Sequence, residues 1–113
     1  MKRALAAELA QSIDQSIELR GWLNNIRPFG KINFLILRDR TGFSQILIED
    51  KEEYKKVANL QPGSILRIHG TAVHSSQAES GVEVINPTIQ VEVPIRDVPP
   101  VEYYKPEINS DLD

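Results

Sequence analysis

Phe34 and Gln45 stand on two consecutive apolar stretches, INFLILRD and FSQILIED, joined by the short connection RTG. Strand alternation separates Gln45 from Ile46 and Ile48, so its amide faces out of the fold. Glu83, set between Val82 and Val84, faces out for the same reason. The side of Phe34 stays open: both faces of INFLILRD are apolar, so the ring is either core or an exposed platform. Arg27 ends the preceding apolar stretch, at a position that would form a rim. An exposed ring offers a π-face for stacking, and an amide or carboxylate offers hydrogen bonds to the edge of an unpaired base. A guanidinium holds a phosphate or a base. This is the chemistry of binding, not of bond cleavage.

Nothing else in the chain supplies a catalytic set. Ser, His and Asp occur at no recognisable spacing, and there is no Gly-rich phosphate loop. His69 and His74 lie five apart on one apolar stretch, which puts them on opposite strand faces and argues against a shared metal. The absence of cysteine excludes disulfides and thiolate metal sites and fits a reducing, cytoplasmic setting. No apolar run approaches the ~20 residues of a bilayer span, so no membrane partner is expected. The N-terminal residues carry too many polar breaks for a signal peptide. The net charge of −3 is unevenly spread. Residues 1–43 hold seven Lys/Arg and four Asp/Glu, whereas residues 44–113 hold six and twelve. A basic first half can present a local electrostatic footprint on an acidic chain.

The elements that must position these residues follow from periodicity. Leu5, Leu9 and Ile13 recur at helical spacing and predict a short helix or helical turn within residues 2–13. SIELRGWLNNIR, Ser16–Arg27, alternates as a first strand, with Gly21 suggesting a bulge or bend. RPFGK reads as a turn, INFLILRD as the second strand, and FSQILIED as the third. KEEYKKVANL, with Tyr54, Val57 and Leu60 three apart, predicts an amphipathic helix stopped by QPG. SILRIHGTAVHS is the fourth strand, with a second bend at Gly70, and VEVINPTIQVEV the fifth, with a kink or edge position at Pro87. Four of the seven prolines fall in residues 94–113, which read as a linker toward a further module beyond a domain of residues 1–93. At 113 residues the chain is sized for one domain.

Five short strands with a helix between the third and fourth make a mainly β chain laid out as an OB-fold, a five-stranded Greek-key barrel that often binds oligonucleotides. Another five-strand barrel or an open α+β sheet are the other architectures compatible with this order.

RGWLNNIRPFGKINFLILRDRTGFSQILIED resembles the N-terminal anticodon-binding domain of the aspartyl-tRNA synthetases. The matching elements are Gly21-Trp22, Arg27, Gly30 with Phe34, Leu37-Arg38-Asp39, Gly42 and Gln45. Similarity continues more weakly through VHSSQAESGVEVINPTIQVE, where the family carries a glutamate on its fifth strand, here Glu83. EINSDLD resembles the segment preceding the family's catalytic domain. The motifs are specific for the class II Asp/Asn/Lys subgroup. Lysyl enzymes tend to have Gly-Arg in place of Gly21-Trp22, whereas asparaginyl enzymes and enzymes charging both tRNAs share the pattern.

The resemblance implies that the partner is a tRNA anticodon stem-loop. Phe34 would stack on an anticodon base, the central uridine. Gln45 would hydrogen-bond the first base or its neighbour, and Arg27 would contact the central uridine or adjacent backbone. Glu83 would read a base edge, with the loop Ser75–Gly81 assisting at the third position. Trp22 would be a packing residue, and Arg38-Asp39 would fix the hairpin locally. ATP and Mg2+ would serve only a catalytic domain, whose motifs do not occur before Asp113, so this polypeptide alone is not expected to aminoacylate. The family's homodimer interface lies largely in that domain. A stand-alone single-stranded nucleic-acid binder and a protein-interaction module are the competing readings.

Overall fold

The computed structural model describes residues 2–76, 78 and 80–96. Residues 97–113, most of the expected linker, lie outside the described residues. The element order is β1 (Lys2–Arg3), a 3-10 helix (Ala6–Gln11), β2 (Ser16–Phe29), β3 (Ile32–Asp39), β4 (Gly42–Ile48), α1 (Lys51–Val57), β5 (Ile65–His74) and β6 (Val82–Val93).

The long strand β2 makes the closed architecture possible. Its first half, Ser16–Trp22, pairs antiparallel with β5, and its second half, Trp22–Phe29, pairs antiparallel with β3. β3 continues antiparallel to β4, and β6 runs antiparallel to β5. A parallel seam of two residue pairs, Gln45 with Glu83 and Ile46 with Val84, joins β4 to β6 and closes the circle. This is the five-stranded OB barrel expected from the sequence, with α1 between the third and fourth barrel strands.

Where β2 passes from one partner to the other, backbone must approach backbone. A Cβ on Gly21 would sit 2.2 Å from the carbonyl oxygen of Arg38, so only glycine fits. The bulge expected at Gly21 lies two to four residues later, between Leu23 and Asn25. Gly70 performs the same service on β5: the register shifts between His69 and Thr71, and a Cβ there would meet Val84 at 2.5 Å. On β6 the facing irregularity holds Asn86, at φ 51°, and Pro87. Pro87 therefore marks the expected kink.

Inward alternation fills the barrel with Ile17 and Leu19, Leu35 and Leu37, Ile46 and Ile48, and their partners on β5 and β6. α1 closes one end. Asp50 caps it by accepting from the Glu52 N–H at 2.7 Å, and Val57 enters the core. Glu53 accepts from the Ile89 N–H at 2.7 Å and Lys56 donates to the Ile89 carbonyl at 3.0 Å, which fastens the helix to β6.

The expected short N-terminal helix or helical turn is a six-residue 3-10 helix, Ala6–Gln11, preceded by β1, which pairs parallel with β2. Its first N–H groups are taken by the β3–β4 hairpin: Ala6 donates to Asp39 Oδ2 and Ala7 to Thr41 Oγ1. The RPFGK turn is shorter than expected, because Pro28 and Phe29 still pair with Asn33 and Ile32, leaving Gly30, at φ 63°, and Lys31 to turn the chain. Pro94–Arg96, expected within the linker, fold back onto the domain. The Ile95 N–H donates to Ser64 Oγ at 2.8 Å, its carbonyl accepts from the Gln61 N–H at 2.6 Å, and Arg96 bridges to Leu60.

Candidate nucleic-acid interface

Cross-strand register settles the side of Phe34. Leu35 and Leu37 point inward to the core cluster, so Phe34, Ile36 and Arg38 occupy the outer face of β3. Phe34 pairs with Arg27 on β2 and Leu47 on β4. One step along, Asn25, Ile36, Gln45 and Glu83 form a row across four strands. One step further stand Trp22, Arg38 and Phe43. Arg27, Phe34, Gln45 and Glu83, separated by up to 56 positions in the chain, thus share two neighbouring rows of one outer face.

Each member has a distinct environment. Gln45 and Glu83 meet at the parallel seam, where the amide Nε2 donates to Glu83 Oε2 at a long 3.5 Å. A bond of that length gives way readily to a better partner. Arg27 is exposed at the open edge of β2. Phe34 is only 7 % exposed, yet it lies outside the barrel core cluster. Phe29, 60 % exposed, leans on it with ring centroids 6.0 Å apart and planes at 48°. The ring is therefore an outer-face residue under cover.

A groove of ≈ 740 Å3 runs beside the two rows. Asn24, Asn25 and Arg27 form one wall, and Phe43 and Gln45 line it from β4. Ser76, Ala78 and Ser80 bring the β5–β6 loop to the opposite side. Sequence reasoning named Arg27, Gln45 and this loop but missed Asn25, Phe29 and Phe43. Phe29 was hidden in an apparent turn, and Asn25 by a bulge that shifts alternation. Phe43 shares the strand face of Gln45 but begins its strand directly after the hairpin turn, with no spacing signal of its own.

Trp22 stands on the outer face, 37 % exposed, with most of its surface packed. Arg38 and Asp39 hold the hairpin locally, as expected, each from its own face of the strand. Arg38 lies over the Phe43 ring, 5.1 Å from its centroid, while buried Asp39 accepts from the Ala6 N–H, the Thr41 N–H and the Thr41 hydroxyl. Burial pushes the Asp39 carboxyl up, but the hydrogen bonds from Thr41 and Ala6 outweigh it and hold it below the usual range. His69 is occupied by Glu18 at 2.9 Å, and that bond, with one from Arg20, lowers the Glu18 pKa. Among the described residues, no group of three or more His, Cys, Asp or Glu could hold a metal ion, and no helix is long and apolar enough to cross a membrane.

A closed barrel with stacking and hydrogen-bonding side chains gathered on one outer face is the arrangement of an OB-fold nucleic-acid binder. The chain belongs to the tRNA-anticodon family of OB-fold nucleic acid binding domains, whose family model matches residues 17–92. It is 36 % identical over 96 residues to an aspartate–tRNA(Asp/Asn) ligase of Methanopyrus kandleri, covering 80 % of this chain and 22 % of the relative. It is 38 % identical over 93 residues to an asparagine–tRNA ligase of Thermus thermophilus, covering 79 % and 21 %. In fold it matches the asparaginyl-tRNA synthetase of Pyrococcus horikoshii with a TM-score of 0.77 at 24 % identity, over 95 % of this chain and 26 % of that one. Within that family, the curated relatives it resembles are aspartate– and asparagine–tRNA ligases. It spans about a fifth to a quarter of the length of the curated relatives it matches.

Proposed function

We propose that this domain recognises the anticodon stem-loop of an aspartate or asparagine tRNA as part of an aminoacylating enzyme. The observation that supports the reading is the register that gathers Arg27, Phe34, Gln45 and Glu83 on two adjacent rows beside the groove. An unpaired base takes the place that Phe29 occupies over Phe34 and stacks on the uncovered ring, while Arg27 holds its edge or the adjacent phosphate. The long Gln45–Glu83 bond opens, and the two groups offer a donor-acceptor amide and a carboxylate to the neighbouring base edge. Ser76, Ala78 and Ser80 of the β5–β6 loop, which line the groove, assist at the third base. Aminoacylation, with its ATP and Mg2+, belongs to the rest of a longer, homodimeric cytoplasmic enzyme.

Gln45→Ala tests the reading, because the side chain is on the outer face and its removal leaves the core intact. Binding of the domain to an Asp-type anticodon stem-loop, measured by calorimetry or anisotropy at fixed salt, is expected to weaken by about tenfold, the loss of one or two hydrogen bonds to a base. Unchanged affinity would contradict the reading.

A further inference from the structure

The third row of the outer face, Trp22, Arg38 and Phe43, has no part in triplet reading as laid out above. Phe43 is 50 % exposed and Trp22 37 %, an unusual outlay of aromatic surface beside a polar groove. Phe43 lines that groove together with Gln45 and Arg27. The Arg38 guanidinium rests on the ring at 5.1 Å, and among the described residues it makes no ion pair; its neighbour Asp39 lies on the opposite, buried face of the strand, bonded to Ala6 and Thr41. The row therefore holds a half-bare ring and an uncompensated positive charge pre-oriented by stacking.

Spacing says which nucleotide such a platform would meet. Residues 34, 36 and 38 step along one strand face, so the Phe43 row lies about 13 Å from the Phe34 row. That is about the span of two nucleotide steps in an extended strand. If Phe34 holds the central base of the triplet, the next row serves a neighbouring triplet base, and the Phe43 row reaches one nucleotide beyond. We infer that Phe43 and Arg38 form a second stacking subsite, taking the unpaired base that flanks the anticodon triplet together with its phosphate. The inference rests on the anticodon reading above. Its occupant is RNA because the row continues the same face and groove and carries positive charge on a chain whose net charge is −3.

The test is a cycle between protein variants and abasic stem-loops. Wild type, Phe43→Ala, Phe43→Trp and Gln45→Ala are titrated with the intact stem-loop and with loops carrying one abasic nucleotide at each position in turn. Thermal melts confirm that each variant is folded. Phe43→Ala is expected to weaken binding to the intact loop by about tenfold, as for loss of one base–aromatic stack. That penalty should vanish at one abasic position just outside the triplet, and Phe43→Trp should retain wild-type affinity. A Phe43→Ala penalty that persists at every abasic position, or no penalty at all while Gln45→Ala weakens binding, overturns the subsite and leaves the anticodon reading standing. If Gln45→Ala also binds like wild type, or wild type fails to prefer the stem-loop over a control hairpin, the anticodon reading fails and the subsite with it.

Discussion

Phe34 carries two duties that pull in different directions. Its ring is nearly buried beneath Phe29, so it contributes to stability, and it is also the proposed platform for a base. Phe34→Ala would remove both at once, with a fold penalty of up to about 3–5 kcal/mol of the large-to-small kind. Phe34→Leu separates them. It keeps most of the apolar volume under Phe29 but loses the aromatic face. Its melting temperature should stay within a few degrees of wild type while stem-loop affinity falls by about 1–3 kcal/mol. A Phe34→Leu variant that binds normally would make the ring structural. The sequence could not decide this point because both faces of β3 are apolar. The decision came from the inward partners Leu35 and Leu37 and from pairing with Arg27 and Leu47, information that resides in neighbouring strands. Gln45 and Glu83 were legible, since each alternates with buried neighbours, Ser44 and Ile46 for the one and Val82 and Val84 for the other.

Among the elements, β2 and the β3–β4 hairpin decide whether the face assembles. Gly21→Ala would drive a methyl group into the Arg38 carbonyl, and that backbone cannot step aside without opening the junction between β3 and β5. A cost of at least about 1–3 kcal/mol is expected. Each kcal/mol should appear as a melting-temperature drop of about 4–8 °C for a domain of this size. Asp39 ties the hairpin to the N-terminal 3-10 turn through Ala6 and Thr41. Its folded pKa is depressed, so its contribution is complete above the ordinary carboxylate value near 3.9 and fades as pH falls through the folded value. Asp39→Asn should therefore be less stable than wild type at neutral pH by about 1–3 kcal/mol. In melts over a pH series, the difference should shrink below pH ~4; a gap constant with pH would exclude the carboxylate as its source. The bounds of β3 and β6 were legible because each apolar stretch is bracketed by turn residues, even though β6 carries an irregularity at Asn86-Pro87. The short N-terminal helix was legible in the spacing of Leu5, Leu9 and Ile13; what the sequence could not show is that the hairpin, 33 and 34 positions away, takes its first N–H groups, Ala6 and Ala7.

For the whole molecule, the question is how a chain of net charge −3 holds RNA. Its cations are concentrated in the first 43 residues, and Arg27 and Arg38 stand on the outer face itself. Recognition of this kind leans on stacking and base edges, with few phosphate contacts, so affinity should change only modestly with salt, while sequence preference should persist. A general single-stranded binder would show the reverse. The barrel order and the helix between its third and fourth strands were readable from the sequence. The closing seam was not, because the two-residue pairing of Gln45 and Ile46 with Glu83 and Val84 leaves no local signature. The most direct measurement is the affinity of this domain for three anticodon stem-loops, GUC, GUU and an unrelated control, at one fixed salt concentration. Binding to one or both of the GU-starting loops well above the control is expected, with GUC ahead of GUU marking aspartate specificity, GUU ahead marking asparagine, and equality marking a relaxed reader. Equal affinity for all three would contradict anticodon recognition.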